Sequence, residues 1–437
     1  MSNPGPFGGQ PFDDLPAMLE QLLRQMGAVG GPDWEGARQV AASIANAGVS
    51  EPNVDPGDRM DIEQFARIAE LHVGELTGLS VGSHHGAIAV SPTTRTQWAA
   101  STVDAYRGLF ERLAESIGRA LREQLDDLDE RDIEEMGSAM PPGMAIDPAA
   151  LIAGLRQMMG PMMATSMAGS TVGHLGARAF GMYDLPIPRP AQSEIQLVVA
   201  NIDAFGNDWS LPRDELRLWI CLHEVAHHAV LGVPHVAARL HQLLADHAGA
   251  FSAGFTDLDR QLGDIDLSQP DGMAQLQALM SDPDLVFGAI RSERQSELLP
   301  FLDALVMVIE GYVDWVLDET SHGLISAAPM IAEAVRRRRV EADQASRFIE
   351  RLFGLELTQS KIDDGSAFIA GIVERAGPEA LSHLWSSPEH LPTPPEIGAP
   401  GLWLARVGVD GDRQLSGLDD LQDLEIPDFP DFPDSDS

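Results

Sequence analysis

Two histidines four residues apart with a glutamate after the first, His223-Glu224-Val225-Ala226-His227, form an HExxH motif. On a helix, side chains at i and i+4 sit one above the other, so both imidazoles can point at one ion while Glu224 reaches a water beside it. The chemistry this allows is hydrolysis. A zinc ion acidifies water and polarises a carbonyl, and a neighbouring carboxylate acts as general base. The expected set is therefore one catalytic Zn2+, with His223 and His227 as ligands and Glu224 as catalytic base.

A catalytic zinc normally takes three protein ligands. The positions seven and ten residues after His223 are Val230 and Val233, so a Gly and a third His at that spacing are missing. His235 follows at twelve residues, past the helix stop, and is a fallback. Glu310 in IEGYVD is the better metal candidate, 83 residues after His227 (310 − 227 = 83), with Asp314 four residues on along the same helical face. Val306, Val308, Ile309, Val313 and Trp315 surround it, and a carboxylate among apolar residues calls for a partner such as a metal. Asp314 is then expected in the second shell, accepting a hydrogen bond from the free nitrogen of a ligating histidine. Tyr312, about 200° round the helix from Glu310, should face away. His228, one step past a ligand, suits packing better than ligation.

Several elements must position these residues. Ser210 as N-cap, Pro212 and the first-turn acids Asp214 and Glu215 start a helix over about 211–231, and Gly232 with Pro234 stops it. DIEQFARIAELHVGEL places Ile62, Phe65, Ile68, Ala69 and Leu71 near one helical face, and WAASTVDAYRGLFERLAESIGRALREQL continues in that style. EIQLVVANID reads as a strand, which could pair with an extended peptide if it lies at an edge. The Met- and Gly-rich stretch 157–177, with Pro161 and His174, reads as a buried helix rather than a membrane span. LPTPPEIGAPGLWLARV is too proline-rich for regular structure, although Trp403 and Leu404 should pack back on the body. In the Arg336 to Arg339 run, at least one arginine should meet the acidic body. The fold class is α+β, predominantly helical, with a small sheet.

Composition narrows the partners. Of 437 residues, 67 are acidic and 29 basic, and a net charge of −38 repels nucleic acid and anionic lipid. The lone Cys221 fits a reducing compartment, and MSNPGPFGGQPFDDLPAM shows no secretory signal, so the cytoplasm is expected. Residues 1–58 read as a flexible arm with a short helix over Leu15 to Met26, 59–410 as the catalytic domain, and 411–437 as a disordered acidic tail. Eight acids and no base follow Arg413.

HEVAHH followed by EGYVD resembles the gluzincin arrangement of HExxH plus ExxxD. Together with YDLPI, RLWICLHEVAHH, EGYVDWVLDE, RLFGLEL and LPTPPEIGAPGLWLARV, it is similar to a bacterial family of zincin-like metallopeptidases, over about 97–407. The resemblance implies a zincin-like catalytic core and a zinc peptidase acting on a peptide or protein, with His223, His227 and Glu310 as ligands, Glu224 as base and Asp314 behind them. Two alternatives stand beside it: a catalytically silent zinc-containing binding protein, and an amidase for a small metabolite.

Overall fold

The computed structural model describes residues 31–81, 88–126, 148–189, 194–251, 292–340 and 344–409. The stretch read as a short helix, Leu15 to Met26, and the acidic tail after Arg413 lie outside them.

The first described helix, α1 (Trp34–Ala45), begins where the Asp33 carboxylate accepts the Gly36 amide hydrogen, satisfying one of the donors that every helix start leaves open. It lies against α4 (Pro148–Gly176) along a seam of small residues. A Cβ on Gly173 would come within 2.6 Å of the Ile44 Cβ, and one on Gly169 within 2.9 Å of the Val40 Cβ. The Met-rich stretch is thus a packed helix of the body, and among the described residues no helix is long and apolar enough to cross a membrane. Residues 34–45, assigned by sequence to the arm, belong to the same body.

Helix α2 (Pro56–Thr77) has Asp55 as N-cap, proline in its first turn and left-handed Gly78 at its end. Its buried stripe is Ile62, Ala66, Ala69 and Val73, with Phe65 and Ile68 half-buried beside it, so the predicted face holds except at Leu71, which is 56% exposed. The stripe follows i, i+4, i+7, i+11, the repeat that keeps α2 on α6 (Arg213–Leu231). Helix α3 (Arg95–Asp126) packs on α1 and α4 as its pattern indicated.

The sheet is two parallel three-residue strands, β1 (Val90–Pro92) and β2 (Ile195–Leu197). Only the first part of EIQLVVANID is therefore strand. Thr93 N–H closes the ladder on the Leu197 carbonyl and Val198 N–H donates to Phe180, after which the chain turns into α5 (Val199–Asp208), where Ile202 and Phe205 bury one helical face. Ser210 is not the N-cap of α6. It sits at φ 53°, and Pro212 opens the helix with no side-chain cap. Glu215, expected to favour the α6 dipole, also accepts hydrogen bonds from Ser326 and from the Ala327 backbone, just before α9 (Ala328–Val340).

α6 is buried on nearly every side from Leu216 to Leu231, so it forms the axis of the molecule. α7 (Pro234–Ala248), α8 (Glu293–Ser321) and α2 surround it. Arg217, fully buried, fixes its rotation by an ion pair with Asp58 on α2 at 2.9 Å and by hydrogen bonds donated to Asp203 on α5, the shorter at 2.7 Å. An Arg217→Met variant is expected to lose about 3 kcal/mol in urea unfolding, and Arg217→Lys to recover little of it, since an ammonium cannot serve two carboxylates as a guanidinium fork does.

Helix α10 (Gln344–Phe353) leads to α11 (Gln359–Ala376), which crosses α8 closely. The proline-rich end does form regular structure: α12 (Pro394–Ile397) and α13 (Pro400–Val407), each with proline in its first turn, where no amide hydrogen is needed. Trp403 and Leu404 are buried as expected, with the indole N–H donated to the His390 carbonyl at 2.7 Å.

Candidate metal centre

The i, i+4 spacing on α6 brings the His223 and His227 rings to 4.4 Å between centroids. Both are buried, as are Glu224 and Glu310. From α8, Glu310 Oε1 lies 3.1 Å from His227 Nε2. His227 Nδ1 lies 3.1 Å from the His223 carbonyl; as a donor there it leaves Nε2 directed at Glu310. Aromatic faces clamp the imidazoles, with Trp219 stacked on His223 at 5.7 Å and Tyr183 on His227 at 5.9 Å.

The base candidate is held from above by the segment after α4. The Tyr183 amide donates to Glu224 Oε2 at 3.0 Å, while the Tyr183 hydroxyl meets His228 Nδ1 at 2.9 Å. The segment approaches so closely that a Cβ on Gly181 would lie 2.3 Å from the Glu224 carboxyl carbon. Its own position is set by the Trp98 indole, which donates to the Gly181 carbonyl, and by Asn201, which donates to the carbonyls of Gly176 and Ala179.

Charges follow from this burial. Glu224 is pushed up to about 7, chiefly because burial penalises its ionised form, against the pull of His227 and the Tyr183 amide. Burial, with the charge of His227 beyond it, drives His223 well below the usual imidazole range and keeps it neutral, the state a metal requires. For the pair His227 and Glu310, burial disfavours each charge, but their mutual attraction wins. His227 moves up and Glu310 down, helped by Arg339 at 3.4 Å from Glu310 Oε2.

Asp314 does not take its expected place. The Nδ1 atoms of the two imidazoles go to the His223 carbonyl and to Glu224 Oε1, at 3.1 and 3.3 Å, so a backbone carbonyl does the orienting assigned to Asp314. Asp314 is instead pushed up to about 6 by burial, opposed by nearby Arg339. Tyr312 packs edge-on against Trp385. His235, the fallback ligand, stands in the first turn of α7, its Nε2 buried with no hydrogen-bond partner among the described residues.

The donor set of two imidazoles and a carboxylate suits zinc, and 3.1 Å between Nε2 and Oε1 is close to the ~3.3 Å separating donors on a tetrahedral ion with bonds of ~2.0 Å. Full convergence is not present: among the described residues no three His, Cys, Asp or Glu side chains stand in a geometry that could hold a metal ion. His223 Nδ1 faces Glu224 instead.

Sequence reasoning missed the backbone support from 180–184 and the way the arginine run divides. Arg336 and Arg337 pair with Glu333 at the surface, whereas Arg338 and Arg339 turn inward to Asp184 and Glu310. The signal for the first was the tight Gly181 beside YDLPI. For the second it was the run itself, since four successive residues cover every side of a helix.

No curated protein matches the chain. A crystal structure described as that of a candidate hydrolase with a novel fold, from Chloroflexus aurantiacus, is similar over 87% of this chain and 100% of its own, with a TM-score of 0.53 and 21% identity, which is likeness of fold. The sequence profile of the zincin-like metallopeptidases matches residues 33–404, spanning α1 to α13 and both helices of the site. The chain belongs to the zincin-like metallopeptidase family.

Proposed function

We propose that the protein is a zinc-dependent peptidase, with one zinc ion held by His223, His227 and Glu310 and with Glu224 as general base. The observation that carries this is the 3.1 Å approach of His227 Nε2 and Glu310 Oε1, residues 83 apart on two helices, in a chain that belongs to the zincin-like metallopeptidase family. Zinc at these donors supplies Lewis acidity, polarising a carbonyl and acidifying water.

The chain's own residues do the rest. Tyr183 N–H fixes Glu224 Oε2, so Oε1 is the oxygen that takes the proton of the attacking water. For it to do so, a small turn of the His223 ring must take Nδ1 off Oε1. Trp219 and Tyr183 restrict the rings to such small turns. Arg339 balances the charge of Glu310, and Asp314 supports Arg339 in turn. The small cavity at Glu224, about 40 Å³, keeps a small amide in play as substrate. With one buried cysteine and no disulfide framework, the cytoplasm is the compartment we assign.

Metal analysis of the full chain tests the reading. Wild-type protein should carry about one zinc per chain, His227→Ala should bind it at least ~100-fold more weakly, and hydrolysis of a peptide library should vanish with the metal and return on its addition. A chain that binds no zinc when refolded with it, or binds it equally well as His227→Ala, would sink the assignment.

A further inference from the structure

The cavity beside Glu224 and His223 is walled on its far side by Arg178, Arg338 and Arg339. Arg338 is held rigidly: its guanidinium lies 3.7 Å over the Phe180 ring and donates to the Arg178 carbonyl at 2.5 Å. Arg338 also pairs with Asp184 through Nη1 at 3.6 Å, and Arg339 reaches Glu310 at 3.4 Å. A guanidinium carries five N–H donors in a planar fork, so both retain donors for a second carboxylate.

Three carboxylates also line the space: Asp184, Glu224 and Glu350. Asp184 is opposed by Arg338 and Arg178, and burial pushes Glu350 up to about 7, which takes charge off that wall. The volume of about 40 Å³ has room for roughly three water-sized groups, the size of a carboxylate and too small for most side chains. Past Trp219, Val335 and Arg339 a second cavity of about 240 Å³ opens, walled by Asp314, Asp318 and Asp363 among others. The first cavity is small and sets Arg178, Arg338 and Arg339 against Asp184, Glu224 and Glu350, whereas the second is roomier and sets Arg336 and Arg339 against its three aspartates.

We infer that the inner cavity is an anion subsite, in which Arg338 and Arg339, with Arg178 beside them, take the α-carboxylate of a peptide's last residue, so that the bond presented to Glu224 is the C-terminal one. This rests on the peptidase reading above for the cleavage, though not for the anion binding. In the reaction, water oxygen bonds to the penultimate residue's carbonyl carbon and the C–N bond breaks. The proton passed to Glu224 goes to the leaving nitrogen, giving a peptide one residue shorter and a free amino acid. The carboxylate is held throughout and does not react.

Two paired measurements on the full-length protein test it. Zinc-loaded wild-type enzyme is given an acetyl-blocked peptide ending in a free carboxylate or in a carboxamide. The acid should release its last residue, and the amide should react ~100-fold more slowly, the worth of a buried charge-assisted contact. Binding of N-acetylglycine and of N-acetylglycinamide is measured by calorimetry with and without zinc. The acid should bind at least ~10-fold more tightly, and both Arg338→Met and Arg338→Lys should erase the difference. If Arg338→Met does not fold, Arg338→Lys and the wild-type comparison still decide. Equal cleavage of internal bonds in acid and amide peptides would overturn the subsite and leave the peptidase reading standing. Arg338-dependent binding of N-acetylglycine without any hydrolysis would support the subsite and remove the peptidase. Equal binding of acid and amide overturns the subsite outright.

Discussion

Replacing Glu224 by glutamine should abolish hydrolysis and, in the metal-free protein above neutral pH, raise stability. The loss of rate is expected at ~10² to 10⁴-fold, since a glutamine cannot accept the proton of the attacking water. The gain in stability follows from linkage. Folding raises the Glu224 pKa from 4.5 to about 7, because burial disfavours the carboxylate. The folded state therefore holds this proton more tightly, so ionisation costs nothing below pH 4.5, costs progressively more between 4.5 and 7, and its full amount above 7. That amount is on the order of 3 kcal/mol as an upper bound, part of which the buried amide returns. Urea unfolding of chelated protein should show Glu224→Gln gaining stability at pH 8 and little at pH 5. An equal gain at both values would show that ionisation of Glu224 is not the source.

The second large effect lies behind Glu310. Helices α8 and α11 cross backbone to backbone at Gly311 and Gly365: a Cβ on Gly365 would sit 2.0 Å from the Met307 carbonyl oxygen, and one on Gly311 would sit 2.4 Å from the Gly365 carbonyl carbon. Neither obstacle is a flexible side chain, so Gly365→Ala must push the helices apart by more than 1 Å. Overpacking of that kind costs about 3 kcal/mol. It also shifts the turn that carries Glu310, which should weaken zinc binding by ~10 to 100-fold. Gly108→Ala provides the control. Gly108 lies on α3 with open space around its missing Cβ, and the same change there should stabilise by about 0.5 to 1 kcal/mol. If both alanines behave alike, the close crossing is not what positions Glu310.

What the sequence revealed of this site tracks how local each contact is. His223, Glu224 and His227 lie within one helical turn, so their juxtaposition is written in their spacing. Glu310 could be picked out from 83 residues away because a carboxylate among Val308, Ile309 and Val313 has to find a partner, and in the structure it finds His227 and Arg339. Asp314 shared its face and was given the wrong partner, because the His223 carbonyl already meets the His227 nitrogen in question. The support for Glu224 was hidden, since it comes from the Tyr183 amide, and every residue but proline has one. In the fold, VVANID carries strand-forming residues, but the ladder closes on the Leu197 carbonyl and most of it is helix. The prolines of 394–407 were read as breakers although they stand at first-turn positions, where proline starts helices.

The stretches that meet at Glu224 and Glu310 are far apart in the chain: 181–184 on the bend after α4, 223–227 on α6, 310 on α8, 338 and 339 on α9, and 365 on the helix behind. During synthesis at ~5 to 20 residues per second, the HExxH helix leaves the ribosome well before the segments carrying Glu310, Arg339 and Gly365 exist. A nascent chain therefore exposes its histidines without the carboxylate that meets His227 and without the arginines that line the cavity. On the peptidase reading, hydrolytic competence would arrive only once these later segments have been made, and a chain still lacking them would be protected from an active site of its own.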